Sequence, residues 1–277
     1  NIKILLGLPI ADGELTLKQR NELLASMTDD VAALVLRDNY AQTQVLSVGE
    51  RIAPRLLEAQ ARFIRFLEKA GRLNRAIEFL PTDDAIAERR AKAGGLTAPE
   101  RAVLLAYSKI WLYDELLASA LPDDPWVATA LARYFPGPLR ERYGAYMAKH
   151  PLKREIIATH VVNSMVNRVG STFVHGMMEA TSAPPADVVR AYLLARESFA
   201  LVPYWQAVQA LDNVVADEVQ AELVIAAGRL TARGTMWFLR SDRLADGMAE
   251  MIARFAPAVA AVAATLPGAL AGDARAR

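Results

Sequence analysis

The chain has 277 residues, 53% of them hydrophobic and 23% charged, with a mean hydropathy of +0.14, which suits a packed protein of one large or two ordinary domains and excludes a disordered tail or a fibre. Thirty-two Lys and Arg nearly cancel 31 Asp and Glu; a net charge of +1 gives no global field to draw nucleic acid or an anionic membrane. The absence of cysteine excludes disulfides, thiolate zinc sites and thiol nucleophiles, and fits a reducing compartment such as the cytoplasm.

The chain opens on NIKILLGLPIADGEL, which lacks the basic start, long apolar middle and small-residue cleavage site of a secretory leader. It carries no initiator Met, so the expectation is a piece cut from a longer polypeptide. Only residues 2–6, IKILL, read as a strand; beyond them helix start and stop signals recur and strand alternation is almost absent. Thr28 followed by Asp29 and Asp30 predicts a helix start, Thr97 with Glu100 a capping box, and Asp124 before Pro125 a cap followed by a first-turn proline. Gly71, Gly94 and Gly170 mark helix ends. Between these signals helices are expected over 15–26, 28–48, 54–70, 74–80, 83–93, 98–120, 125–135 and 138–149. More follow over 151–169, 171–181, 184–199, 202–212, 215–239 and 242–264. There is no internal repeat, no long heptad run and no Ser/Gly linker; Gly94 and Gly95 are the best hinge candidates. The expected fold is all-α, a single multi-helix orthogonal or bundle-like array over 1–277 with no significant sheet.

Within that array one helix carries an oddity. Over residues 28–48, around VLRDNYAQTQVLS, the helical stripe of Val31, Leu34, Val35 and Val45 has Asp38 and Gln42 at its centre, while Leu36 and Tyr40 lie on the other side. An unpaired buried carboxylate costs several kcal/mol, so Asp38 needs a partner, and helical geometry turns its neighbour Arg37 away. Arg37, Asp38, Asn39, Tyr40, Gln42 and Gln44 therefore read either as a polar network that fixes helix register or as a docking surface for another domain.

Other polar residues sit among apolar ones. From Ala98, one stripe is Val103, Tyr107, Ile110 and Leu117 with Asp114 inside it; another is Leu105, Leu112 and Leu116 flanked by Lys109. Lys109 has the chemistry of a base or Schiff-base amine, but nothing near it in sequence completes a site, and a paired or snorkelling lysine is the plainer reading. His160, Asn163 and Asn167 stack at i, i+3 and i+7, a pattern for interhelix hydrogen bonding rather than for a metal, since amides are poor zinc ligands. His150 and His175 are isolated, and the pairs Asp83-Asp84 and Asp123-Asp124 suit helix starts. Arg89-Arg90 and Lys153-Arg154 are balanced by acids, which argues against nucleic acid. Met177-Met178 and Trp237-Phe238 read as core. The run FAPAVAAVAATLPGALAG, with Pro257 and Pro267 inside it, argues against a membrane span and reads as a short helix and a loose tail in 241–277. No G-x-G-x-x-G after a strand, P-loop, H-E-x-x-H or G-x-S-x-G is present, so the segment shows no catalytic, cofactor-binding or metal site.

Five strings, NIKILL, RNELLASMTDDVAALVLRDNYAQTQVLS, LTAPERAVLLAYSKIWLYDELLAS, YFPGPLRERY and KREIIATHVVNSMVNRVGSTF, occur in an order that resembles the C-terminal helical region of the large bacterial NAD-specific glutamate dehydrogenases. The resemblance covers most of the chain to about Arg240 and fades after Ser241. It implies a parent chain that converts L-glutamate, NAD and water to 2-oxoglutarate, ammonia and NADH, with NAD bound and chemistry done upstream. On that reading residues 1–12 border the catalytic domain, and residues near RDNY contact that domain or a neighbouring subunit of a cytoplasmic homo-oligomer. No catalytic residue of the family maps here. The rival expectation is a free-standing helical scaffold or adaptor without enzymatic role.

Overall fold

The computed structural model describes residues 1–241, 244 and 246–269, and falls into two compact units, Asn1–Phe173 and Val174–Arg277. Among the described residues it has fourteen α-helices and no strand, as the caps and periodicity predict.

The first unit begins with α1 (Ile2–Ala11), where a strand is expected over 2–6. The core residues are Leu5, Leu6 and Pro9, a helical spacing; alternation would have buried 2, 4 and 6 instead. Both ends of α1 are tied down from afar. Asn1 donates from Nδ2 to the Tyr134 hydroxyl at 2.8 Å, and the Tyr146 hydroxyl donates to Asp12 Oδ2 at 3.0 Å. Buried His150 accepts the Leu152 N–H on Nδ1 (3.0 Å), which leaves the proton on Nε2 to reach the Asn1 carbonyl at 3.1 Å. The isolated histidine of the sequence is a structural clasp.

α2 (Leu17–Ser26) starts on a capping box formed by Thr16 and Gln19. α3 (Thr28–Arg51) follows almost without a break: Thr28 does not cap it, and its hydroxyl donates instead to the Ala25 carbonyl at 2.9 Å. α4 (Ala53–Lys69) buries Leu57, Ala61, Phe63, Ile64 and Leu67 on one stripe. The helix expected over 74–80 is a series of turns, in which Asn74 Oδ1 accepts from the N–H groups of Ala76 and Ile77 and so diverts the backbone from helical pairing. α5 (Asp83–Ala91) has Thr82 as cap and both aspartates in its first turn.

α6 (Ala98–Leu117) carries the Thr97/Glu100 capping box, and Glu100 is also held by Arg89 at 2.9 Å. The Arg89 guanidinium and the Thr97 groups lower the Glu100 pKa against the opposing effect of burial. The buried face of α6 is Leu104, Leu105, Ser108, Trp111, Leu112 and Leu116, which contains the expected Leu105-Leu112-Leu116 stripe; of the other expected stripe Val103, Tyr107 and Leu117 are half-buried and Ile110 points outward. Trp111 sets the core against α4, edge-on to Phe63 at 5.6 Å and to Phe66 at 5.4 Å. Asp114, expected inside a stripe, pairs with Arg72 at 2.6 Å in a half-exposed position.

Gly94 has no left-handed backbone; Ala93, at φ +50°, takes that role. Gly95 is a close approach rather than a hinge, since a Cβ there would sit 2.5 Å from Ala53 Cβ and 2.7 Å from its carbonyl carbon. Two 3-10 turns, with Asp124 Oδ1 accepting from Trp126 N–H at 2.9 Å, lead into α7 (Ala130–Tyr134) and α8 (Gly137–Met147). α9 (Lys153–Val169) ends on Gly170 at φ +80° and packs against α3, α6 and α7.

α10 (Phe173–Thr181) enters the second unit, where His175 lies 3.6 Å from Glu179 one turn on. α11 (Pro185–Ser198) is that unit's centre and is buried almost all round. α12 (Leu201–Gln209) and α13 (Asp217–Leu239) pack on it. Gly234 lets α13 approach closely, because a Cβ there would stand 2.7 Å from the Phe199 ring and 3.1 Å from Ala195 Cβ. Phe238 is core, but Trp237, expected inside, is 52% exposed and lies edge-on to Phe255 at 5.1 Å.

α14 (Met248–Ala269) corresponds to the helix expected over 242–264, continues five residues beyond the expected end and runs through Pro257. Met248 and Met251 are buried and Phe255 meets Phe238 at 5.6 Å, whereas Ala260 to Leu266 are exposed. By length and composition Met248–Leu266 is apolar enough to cross a membrane. Of the loose tail expected after 264, residues 265–269 are helical and 270–277 lie outside the described residues.

Candidate functional site: a polar seam between α3, α6 and α9

α3 buries little apolar surface; Ala41 is its one fully buried residue, with Val31, Leu34 and Val45 half-buried beside it. Polar contacts supply the rest of its attachment. Asp38 Oδ1 accepts from Asn167 Nδ2 on α9 at 3.0 Å. One turn on, Gln42 Oε1 accepts from the Lys109 ammonium on α6. Gln44 accepts from Arg168 Nη1 on α9 at 3.1 Å and donates to the Tyr40 hydroxyl at 3.4 Å. Burial lowers the Lys109 pKa, and the Asp38 charge offsets part of that effect. Asn167 is 3% exposed, and its Oδ1 accepts no bond.

The structure thus brings Asp38, Tyr40, Gln42 and Gln44 together with Lys109, Asn167 and Arg168. Arg37 and Asn39 are exposed and lie outside the seam. Lys109 and Asn167 stand out in the sequence one helix at a time, but Arg168 carries no signal there. Nor does Arg101, buried on α6, which donates to the Leu96 carbonyl and reaches Glu50 at the end of α3 at 3.2 Å. Its trace is positional: it falls on the 101/104/105/108/111/112 face, where only apolar residues would be expected.

Chemically the seam is a set of paired donors and acceptors, apart from the buried Asn167 Oδ1. The Lys109 amine is committed to an amide oxygen, and the one carboxylate beside it to an asparagine. Among the described residues, no group of three or more His, Asp or Glu is placed to hold a metal ion. Directional bonds of this kind fix the rotation and register of a helix more sharply than apolar contact alone.

Residues 93–277 match the family described as glutamate dehydrogenase, C-terminal. The chain belongs to that family. Residues 1–49 match a second description, the catalytic domain of bacterial NAD-glutamate dehydrogenase. Curated relatives named NAD-specific glutamate dehydrogenase include one from Halomonas elongata, 45% identical over 94% of this chain and 16% of its own length. Another, from Pseudomonas aeruginosa, is 42% identical over 99% of this chain and 17% of its own length, and one from Mycobacterium tuberculosis is 38% identical over the same shares. The chain therefore spans about one-sixth of these relatives. The family match runs to residue 277, past Ser241 where the resemblance read from the sequence fades, since an Ala-rich stretch offers few distinctive residues.

The two matches divide the seam. α3, with Asp38, Gln42 and Gln44, lies largely in the portion that matches the catalytic domain; Lys109, Asn167 and Arg168 lie in the glutamate dehydrogenase C-terminal family portion.

Proposed function

We propose that this chain is the C-terminal helical part of an NAD-dependent glutamate dehydrogenase polypeptide, a docking and supporting element that itself lacks the catalytic site. The full chain would convert L-glutamate, NAD and water to 2-oxoglutarate, ammonia and NADH, as a cytoplasmic homo-oligomer, with NAD held upstream of these residues. The observation that carries the reading is the seam. A helix of the catalytic-domain portion is bonded through three side-chain pairs to two helices of the C-terminal portion. Those bonds make the C-terminal helices a clamp that sets where α3 lies, and through α3 the placement of what precedes it.

The test uses the polypeptide extended upstream through the rest of the catalytic domain. Glutamate-dependent NADH formation, followed at 340 nm, is expected from the extended chain and not from residues 1–277 alone. Replacing Gln42 and Asn167 together by Leu in the extended chain should lower the temperature at which activity is lost, with KM values unmoved. Turnover by residues 1–277, or an extended chain that reduces no NAD with glutamate, defeats the proposal.

A further inference from the structure

We infer that the outward face of α3 is the seat on which the remainder of the catalytic domain packs, an inference that rests on the longer polypeptide proposed above. Opposite the seam, Ala32, Val35, Leu36, Asn39, Thr43 and Ser47 share one exposed stripe, closed at its two ends by the charged residues Asp29 and Glu50. Val35 is 53% and Leu36 66% exposed, and none of the six is charged. A solvent-facing stripe of about four turns ordinarily carries charges along its length. This one has two branched apolar side chains followed by small neutral polar ones, the mixed character of an interface between domains of one chain.

The occupant follows from the family match. α3 lies within residues 1–49, which match a catalytic domain of an NAD enzyme, yet those residues fold as α1, α2 and most of α3 with no strand. A dinucleotide-binding domain is organised around a parallel sheet, so the bulk of the domain to which α3 belongs lies outside this segment. α6 and α9 already occupy the inward side of α3. The outward stripe is the side left for that bulk to cover. A second copy of the chain fits less well, because the apolar residues occupy only the N-terminal half of the stripe.

The absence of cysteine from these residues supplies the probe. Leu36→Cys and, as reference, exposed Lys92→Cys are placed in the 277-residue chain and in the extended polypeptide, and maleimide labelling is read peptide by peptide. The thiol at 36 is expected to react at least about tenfold more slowly in the extended polypeptide, with the thiol at 92 reacting alike in both. Equal rates at 36 overturn the inference, and so does protection that appears in the 277-residue chain as its concentration rises, which would assign the stripe to a second copy. Glutamate-dependent NAD reduction by the same preparations separates the two claims. Activity with equal labelling removes the seat and keeps the function; protection without activity does the reverse.

Discussion

Asn167→Asp is the sharpest probe of the seam, because it is nearly isosteric and changes only the chemistry at 3.0 Å from Asp38 Oδ1. The wild-type amide donates there, whereas a carboxylate would face another carboxylate in a position that is 3% exposed at residue 167. Two charges about 3.5 Å apart at an effective dielectric near 20 repel by about 5 kcal/mol. Attraction to Lys109 and sharing of a proton would reduce this to a net loss of roughly 3 kcal/mol at pH 7. With a urea m-value near 2 kcal/mol/M, the unfolding midpoint of the first unit should drop by about 1.5 M. The loss has a pH signature. The pair in the variant has one pKa raised above the ordinary Asp value near 3.9, so its penalty is full above the raised value and fades as pH falls towards about 4. Urea titrations of wild type and variant, followed by tryptophan fluorescence and far-UV circular dichroism between pH 4.5 and 7.5, give the difference directly, and Asn167→Leu serves as the charge-free control. A midpoint difference below about 0.3 M at pH 7, or one that does not shrink towards acid, would refute the account of the seam.

Lys109 gives the opposite window: its folded pKa is depressed below 10.5, so the unfolded chain binds more protons in that interval. Wild type should gain stability relative to Lys109→Met as pH rises from the depressed value to 10.5, and a flat difference in thermal midpoint would count against burial as the cause. Gly95→Ala should cost about 2 to 3 kcal/mol, since the new methyl meets the Ala53 backbone and no side chain can move aside. Adding Ala53→Gly should restore only part of it, because the carbonyl carbon at 2.7 Å remains; full rescue in urea melts would contradict the geometry. Gly228→Ala, inside α13 with nothing within 4 Å of the new Cβ, should instead stabilise the second unit by about 0.5 to 1 kcal/mol in the same assay.

Most helix positions were legible because caps and apolar spacing are local. Thr97 with Glu100 closes its box, and Asp83 and Asp84 open α5, as their sequence positions require. The failures come where a distant group outweighs the local signal. Residues 2–6 have strand-like composition, yet α1 is held as a helix by the burial of Leu5 and Leu6 and by His150 and Tyr134 at its start. Residues 74–80 have helical propensity that the Asn74 side chain redirects. The helix expected to end at 264 continues as α14 to Ala269, with Pro257 and Pro267 inside it.

Sequence alone determined the all-α class, the requirement that Asp38 find a partner on another element, and the family likeness, because propensity, desolvation cost and residue identity belong to each short stretch of chain. Which partner it found was decided only by the fold. Asp38 and Asn167 are 129 positions apart, and their 3.0 Å bond exists because α3 and α9 pack side by side. The same packing assigned the two faces of α3. Gln42 and Gln44 turn in to meet α6 and α9, and Val35 and Leu36, apolar by composition, turn out, because rotation of a helix about its axis is set by its neighbours.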